Sequence, residues 1–253
     1  MAISCILGPD GILRIILNRP ERLNAFDSDL AAEFAAAAER ISEQEVRVVL
    51  LSAEGPAFCA GGDVVAMAAT ESGSVITELA QVINRGLSAL LSSSVPVVAA
   101  AHGTTAGGGL GLLLASDYAI VGESSRIGAL YATQGLTPDL SVTALLGDAV
   151  GQRRALQLTL NDQLLTAQQA LEWGLVAEVV PDGAVKSRAD EFATALANGA
   201  YAAYGQAKRL LRARPDRALA EHLEDEARTI GAAFDTPEAS ARIAAFAARA
   251  RSR

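Results

Sequence analysis

Runs of branched apolar residues, bounded by turn residues, recur along the first part of the chain. Residues 12–17 form one such run, between the turn signal at residues 8–11 and the polar segment at residues 18–20. Short runs rich in Ile, Val and Leu are typical of buried β-strands. The same pattern predicts further strands at residues 46–51, 95–101, 118–121 and 126–129.

Helical spacing and capping residues separate these strands. Asp27 suits the N-cap of one helix, and another helix is predicted at about residues 74–92. Thr166 and Gln169 have the spacing of a capping box, and Gly174 suits the C′ position of the helix between them. Strands that alternate with helices favour βαβ units, so we predict an α/β fold with a largely parallel sheet.

After Pro181 the chain reads as Ala-rich, charged helix. We therefore divide it into an α/β core at residues 1–190 and a C-terminal helical subdomain at residues 191–253. Apolar residues of the subdomain recur at helical spacing, at Leu219, Leu223, Ala227 and Ile230. This apolar face needs a partner surface, in the same chain or in a neighbouring copy.

Composition narrows the classes of function. The chain has 253 residues, 51% of them hydrophobic, and a formal net charge of −8, which argues against binding nucleic acid or an anionic membrane. Cys5 and Cys59 do not form a recognisable metal or redox pair. The N-terminus lacks the features of a signal peptide, and no apolar run is long enough to span a bilayer. We therefore expect a cytoplasmic protein without a metal site.

Two glycine-rich turns are the candidates for chemistry. Residues 60–63 (AGGD) follow one predicted strand, and residues 107–109 (GGG) follow another. Glycine lets backbone N–H groups approach a ligand closely, and a helix that begins at such a turn adds unpaired N–H groups. Two converging turns of this kind would bind an oxyanion. Tight helix packing is the alternative explanation, and neither turn fits a phosphate-binding motif.

Six segments, taken in order, make the pattern specific. They are residues 22–25 (RLNA), 58–64 (FCAGGDV), 101–103 with 107–109 (AHG, GGG), 116–118 (SDY), 135–139 (GLTPD) and 170–176 (ALEWGLV). This order resembles the crotonase (enoyl-CoA hydratase/isomerase) superfamily over most of the chain. The resemblance implies a ββα spiral core, a C-terminal helical subdomain that packs in a homotrimer or a hexamer of two trimers, and an acyl-CoA substrate without a prosthetic group.

The resemblance also implies roles for individual residues. The Gly62 and Gly108 backbone N–H groups match the two oxyanion donors of the family. The residues that match its coenzyme A contacts are Arg22, Leu23, Ala25, Ala60 and Gly62. Arg22 would meet a phosphate group, although a solvated surface arginine is the simpler interpretation.

The carboxylate side chains at the candidate site indicate which reaction of the family to expect. Hydratases of the family use two glutamates, and the matching positions here are Gly111 and Tyr131. Instead, Asp139 follows Pro138, as in family members that shift a double bond. One carboxylate is enough for that reaction, because it removes a proton from one carbon and returns it to another. Asp139 is also well placed to cap a helix, and Tyr131 to line the acyl pocket.

Other residues receive structural interpretations. Asp63 is predicted to cap the helix after the first glycine turn, and Trp173 to lie in the core. His102 and His222 are not expected to be catalytic, and His222 is expected to be solvated.

An enoyl-CoA isomerase that uses Asp139 is the leading hypothesis. A hydratase with water held by Asp139 and Tyr131, a thioester hydrolase, and a non-catalytic acyl-CoA-binding protein are the alternatives. A dehalogenase would use an Asp nucleophile here, but it would also want a histidine within residues 64–95, which contain none.

Overall fold

A computed structural model describes residues 1–251, apart from the side chains of residues 215 and 251. Within this part of the chain, nine strands form two sheets. The strands are β1 (Ile3–Leu7), β2 (Ile12–Leu17), β3 (Val48–Ala53), β4 (Val97–Ala101), β5 (Thr104–Ala106), β6 (Tyr118–Gly122), β7 (Arg126–Gly128), β8 (Leu165–Thr166) and β9 (Glu178–Val180).

The larger sheet has the strand order β1-β2-β3-β4-β6-β9. All its neighbouring strands are parallel except β1, which pairs antiparallel with β2 at one edge. The smaller sheet has the order β5-β7-β8, with β5 and β7 parallel. The largely parallel sheet predicted from the sequence is confirmed.

The helices surround the larger sheet and extend beyond it. They are α1 (Ser28–Glu39), α2 (Val64–Ala68), α3 (Gly73–Ser92), α4 (Gly108–Leu114), α5 (Val142–Val150), α6 (Gln152–Asn161), α7 (Ala167–Trp173), α8 (Val185–Asn198), α9 (Tyr201–Ala213), α10 (Leu219–Phe234) and α11 (Pro237–Arg251). In the described residues, no helix is both long enough and apolar enough to cross a bilayer.

Both faces of the larger sheet are buried, which explains why its strands read as continuous apolar runs. One face packs against α1 and α3 through a large cluster that includes Phe34 and Leu87. The other face packs against α8, whose inward residues recur every fourth position at Val185, Ala189, Ala193 and Ala197. The boundary predicted after residue 190 lies within α8, which packs on the sheet on both sides of that point. The predicted division into a core at residues 1–190 and a helical subdomain at residues 191–253 therefore stays a prediction.

The helix caps predicted from the sequence are present, whereas several strands are shifted or were missed. Asp27 caps α1 through the Leu30 N–H, and the Thr166 capping box and the left-handed Gly174 are present at α7. The strand predicted at residues 46–51 is shifted to Val48–Ala53, because its ladder begins where Val48 pairs with Ile12. Strands β1, β5, β8 and β9 were missed. The last three have only two or three residues each and carry little periodic signal.

The topology places the two glycine turns side by side. Strands β3 and β4 are parallel neighbours, with Val49 opposite Val97. The first glycine turn follows the carboxyl end of β3, and the second follows β4 and β5. The carboxyl ends of neighbouring parallel strands share one edge of a sheet, which is where open α/β sheets bind ligands.

Candidate active site

The first glycine turn connects β3 to α2 and is held by the backbone of Phe26. The Phe26 N–H donates to the Gly61 carbonyl at 2.7 Å, and the Asp63 N–H donates to the Phe26 carbonyl at 2.9 Å. The Gly61 carbonyl and the Gly62 N–H belong to one peptide unit, in which they point in opposite directions. The Gly62 N–H is therefore directed away from Phe26 and can donate to a ligand.

The second turn supplies a donor from the start of α4. Gly108 is the first residue of that helix, so its N–H has no acceptor within the helix. The Gly107 N–H donates to the Ala129 carbonyl at 2.9 Å, which anchors the turn. A methyl group added at Gly61 would lie 3.3 Å from the Gly108 nitrogen. The two turns therefore lie side by side with too little space for a side chain between them, as a shared oxyanion site requires.

Both turns open into a cavity of about 770 Å³. All eight residues predicted for catalysis or coenzyme A binding line it: Arg22, Leu23, Ala25, Ala60, Gly62, Gly108, Tyr131 and Asp139. Apolar residues of α3, among them Ile76, Leu79 and Ile83, form another part of its wall. A cavity of this size, mostly apolar with a few polar groups, is typical of a small-molecule site.

Three of the predicted coenzyme A residues, Arg22, Leu23 and Ala25, lie on a bend beside the first turn, and the other two, Ala60 and Gly62, lie in the turn itself. Arg22 and Leu23 are exposed, whereas Ala25 is buried. The Ala60 N–H donates to the Leu23 carbonyl at 3.0 Å, so the bend and the glycine turn are tied together. Leu23 and Asn24 both have positive φ angles, which gives the bend its sharp shape.

Asp139 and Tyr131 form a hydrogen-bonded pair in the cavity wall. The Tyr131 hydroxyl donates to Asp139 Oδ1 at 2.8 Å. Burial raises the pKa of the Asp139 carboxyl above its usual value, and the hydrogen bond from Tyr131 opposes this rise. Burial and the charge of Asp139 also raise the pKa of Tyr131, so the phenol stays protonated. The pair therefore consists of a protonated phenol and a carboxyl group that accepts its hydrogen bond through Oδ1.

The capping explanation of Asp139 does not agree with the geometry. Helix α5 begins at Val142, its N-cap residue is Ser141, and no side chain caps it. The Asp139 carboxylate instead faces Tyr131. The helix starts three residues after Asp139 because Leu140 and Ser141 both have left-handed backbones, with φ of 47° and 69°.

The same segment explains why a glutamate is absent at Gly111. A methyl group added at Gly111 would lie 1.8 Å from the Leu140 carbonyl oxygen, and Ser141 Oγ donates to the Gly111 carbonyl at 3.2 Å. The backbone that carries Asp139 thus occupies the space that a side chain at 111 would need. Close packing also explains Gly109, where an added methyl would lie 2.1 Å from the Cys59 carbonyl oxygen. Part of the glycine run therefore serves packing, as the alternative explanation held.

An ionic cluster behind the first turn was not anticipated from the sequence. It consists of Arg19, Asp27 and Asp63, which we call the Arg19 cluster. Arg19 is close to Asp27 Oδ2 at 2.8 Å and Asp63 Oδ2 at 2.9 Å, and it donates to the Ala25 carbonyl at 2.9 Å. The sequence signal was an arginine beside a proline at the end of a strand, which is too common to indicate such a cluster.

Asp63 caps α2 as predicted. Its Oδ1 accepts from the N–H groups of Val65 and Ala66, and its side chain is only 5% exposed. These two N–H donors, with Arg19, hold the pKa of Asp63 below its usual value although burial opposes them. Asp63 is therefore an ionised structural residue next to Gly62.

The histidines lie outside the cavity lining. His102 Nε2 is 2.7 Å from the Gly55 carbonyl oxygen. The expectation that His222 is solvated was wrong, because it is only 6% exposed and its Nε2 lies 3.4 Å from Glu226. Helix α10 turns this face toward the protein, which its charged sequence did not indicate. Trp173 is half-buried, packs against the main core and stacks with the Arg154 guanidinium.

Comparison with known proteins gives a consistent result. A model of the enoyl-CoA hydratase/isomerase family matches residues 8–252. The 1,2-epoxyphenylacetyl-CoA isomerase of Escherichia coli (strain K12) is 30% identical over 94% of this chain and 93% of its own length. A protein of Rhodobacter capsulatus named as a probable enoyl-CoA hydratase is 34% identical over 88% of this chain and 86% of its own.

Solved structures agree in fold. The enoyl-CoA hydratase of Bacillus anthracis superimposes with a TM-score of 0.92 and 28% identity, covering 98% of this chain and 97% of that one. Together with the glycine turns and the cavity, these matches show that the chain belongs to the enoyl-CoA hydratase/isomerase family, the crotonase superfamily.

Proposed function

We propose that this protein shifts a double bond in an enoyl-CoA ester, with Asp139 as the proton carrier. The observation that carries the proposal is the Asp139–Tyr131 pair in the wall of the cavity onto which Gly62 and Gly108 also open. The other carboxylates that line the cavity are Glu21 and Asp63. Asp63 is occupied by capping and by Arg19, and Glu21 lies beside the predicted coenzyme A bend.

The proposed reaction uses one base twice. The Asp139 carboxylate removes a proton from C2 of a 3-enoyl thioester, and the electron pair moves onto the thioester oxygen. The Gly62 and Gly108 N–H groups stabilise the resulting dienolate, a role in which one donor is typically worth about 10²–10³ in rate. The protonated Asp139 then returns the proton to C4, which gives the conjugated 2-enoyl thioester and restores the carboxylate.

Coenzyme A is proposed to bind as part of the substrate. Its nucleotide would lie at the bend of Arg22, Leu23 and Ala25 and near the Ala60 backbone, which leaves the acyl group beside Asp139. The free thiols of Cys5 and Cys59 agree with a reducing, cytoplasmic location.

The test is conversion of a 3-enoyl-CoA, followed by the absorbance of the conjugated product. Asp139→Asn keeps an acceptor for Tyr131 but removes the base, so we expect kcat to fall by about 10²–10⁴ with acyl-CoA affinity retained. Asp148→Asn, an exposed aspartate of α5, is the matched control. Full activity in Asp139→Asn would refute the assignment of the base.

A hydratase remains the second candidate, because the Tyr131–Asp139 pair is also suited to hold a water molecule. Formation of a 3-hydroxyacyl-CoA from a 2-enoyl-CoA, faster than the double-bond shift, would favour it. Release of free thiol would instead indicate thioester hydrolysis. Tight acyl-CoA binding with none of these products would indicate a binding protein.

A further inference from the structure

We propose that Arg19 is a positioning residue for the oxyanion site, which sets the Gly62 peptide and partly offsets the negative charge behind it. The inference rests on the proposed function, because it requires a thioester oxygen at Gly62. Arg19 does not line the cavity. It acts instead through the three segments that meet around its guanidinium.

Each contact of Arg19 reaches a different part of the site. Its contact with the Ala25 carbonyl, at 2.9 Å, reaches the predicted coenzyme A bend. Its contact with Asp27, at 2.8 Å, reaches the N-cap of α1. Its contact with Asp63, at 2.9 Å, reaches the residue that follows Gly62. One rigid guanidinium thus joins the bend, the helix start and the glycine turn.

The backbone of Arg19 strengthens this arrangement. Its N–H donates to Asn24 Oδ1 at 2.8 Å, and the Asn24 side-chain amide donates to the Glu54 and Ala57 carbonyls. Asn24 is fully buried. The segment from Arg19 to Asn24 is therefore fixed to the loop that leads into the glycine turn. The side chain of Arg19 is thus held at its backbone as well as at its guanidinium.

The charge balance gives Arg19 a second effect. Asp63 is almost fully buried and ionised, and it directly follows a residue whose N–H would stabilise a developing negative charge. An uncompensated carboxylate at this place would oppose the dienolate, because electrostatic interactions are strong where water is excluded. Arg19 is in direct contact with both Asp27 and Asp63, so its single positive charge offsets one of their two negative charges.

The test measures polarisation of the thioester carbonyl first and turnover second. The probe is a cinnamoyl-CoA with an electron-donating para substituent, whose absorbance moves to longer wavelength when hydrogen bonds withdraw electrons into the carbonyl. We expect a red shift on binding to the wild type. At saturating protein, Arg19→Gln should lose most of this shift, and its kcat should fall by about 10-fold or more, up to the roughly 10²–10³-fold of a lost oxyanion donor.

The matched control is Arg14→Gln. Arg14 also pairs with two aspartates, Asp10 at 3.0 Å and Asp190 at 3.1 Å, but none of these three residues lines the cavity. It should keep the full red shift and kcat. Arg19→Lys provides a second variant that keeps the charge without the planar fork, and it should bind the probe with an intermediate shift. Unfolding midpoints of all three variants identify any that do not fold.

The outcomes separate this inference from the proposed function. A full red shift in folded Arg19→Gln or Arg19→Lys would overturn the role of Arg19 and leave the oxyanion site intact. Binding of the probe to the wild type without any red shift would overturn the oxyanion site itself, and the role of Arg19 with it.

Discussion

The hydroxyl of Tyr131 adjusts how basic Asp139 is. Burial raises the pKa of the carboxyl, and the hydrogen bond from Tyr131 lowers it by stabilising the ionised form. Burial acts on the whole carboxyl group, whereas the hydrogen bond acts through one oxygen atom, Oδ1. Tyr131 therefore keeps Asp139 ionised at a lower pH than burial alone would allow, while the apolar surroundings keep it basic enough to accept a proton.

This balance predicts a pH effect in Tyr131→Phe. Loss of the hydrogen bond removes the influence that lowers the pKa of Asp139, so the folded-state pKa rises further. In the proposed reaction the carboxylate is the active form, and the acid limb of kcat/KM should therefore move to higher pH. Tyr118→Phe is the control, since the Tyr118 hydroxyl contacts Glu178 away from the cavity lining. An acid limb that does not move, or moves to lower pH, would contradict the pairing.

A second prediction at the residue scale concerns Gly111. In Gly111→Ala the added methyl would lie 1.8 Å from the Leu140 carbonyl oxygen, so the segment that carries Asp139 must move. A displacement of about 1 Å can cost about 10²-fold in rate, and we expect a loss of kcat of that order. Kinetic measurement of the double-bond shift provides the check.

Gly147→Ala is the matched control for Gly111→Ala. Gly147 lies in α5, where an added methyl would meet no atom within 4 Å. This substitution should retain activity and stabilise the protein by about 0.5–1 kcal/mol. Unchanged kcat in Gly111→Ala would show that the 139–141 segment can be displaced without cost.

At the scale of elements, Lys208 attaches helix α9 to the core. Its ammonium donates to the Leu90 and Val95 carbonyls, both at 2.8 Å, and pairs with Asp117 at 2.9 Å. The side chain is 5% exposed. Burial lowers the pKa of Lys208, and Asp117 opposes the decrease. The three acceptors come from the end of α3, the loop before β4 and the loop before β6, so one side chain joins α9 to three segments of the core.

We expect Lys208→Met to destabilise the protein by about 2–4 kcal/mol. Removal of one partner from a buried pair typically costs about 3–5 kcal/mol, and Asp117 keeps a contact with Arg212, which reduces the loss. Lys186→Met is the control, because Lys186 makes an exposed pair with Glu54 worth about 0–1 kcal/mol. Urea unfolding gives both values, and equal effects of the two substitutions would refute the anchoring role.

At the scale of the whole molecule, the C-terminal helices have apolar surface left uncovered. Large apolar side chains of α10 and α11 are exposed, at Leu219, Leu223, Ile230, Phe234, Ile243 and Phe246. Exposed apolar surface of this extent is characteristic of an interface between proteins. It agrees with the prediction, made from the family resemblance, that the tail packs against neighbouring copies.

We therefore predict a mass in solution of three or six times the 26.1 kDa of one chain. Light scattering or sedimentation equilibrium measures it. The double substitution Ile230→Glu with Phe234→Glu would place charge in the buried interface and should shift the distribution to monomers. Glu224→Gln, on an exposed pair with Arg228, should leave the mass unchanged. A monomeric wild type would contradict the prediction.

Local signals in the sequence were sufficient for much of the fold. The strand β2, the caps at Asp27 and Asp63, and the capping box at Thr166 depend on residues close in sequence, so their patterns could be read directly. The glycine turns could be located for the same reason, since a positive φ angle or a close backbone approach selects glycine at that position. The antiparallel edge strand β1 and the burial of His222 depend on distant partners and could not be read.

The sequence by itself determined the largely parallel α/β core, the family and eight of the residues that line the cavity. Only the tertiary structure decided how those residues are related. The Tyr131–Asp139 hydrogen bond needs the left-handed backbone at Leu140 and Ser141, which in turn needs the space left by Gly111. The Arg19 cluster needs three segments to converge on one guanidinium. These relations join residues that are 8 to 44 positions apart in the chain, and periodicity and capping describe only nearer neighbours.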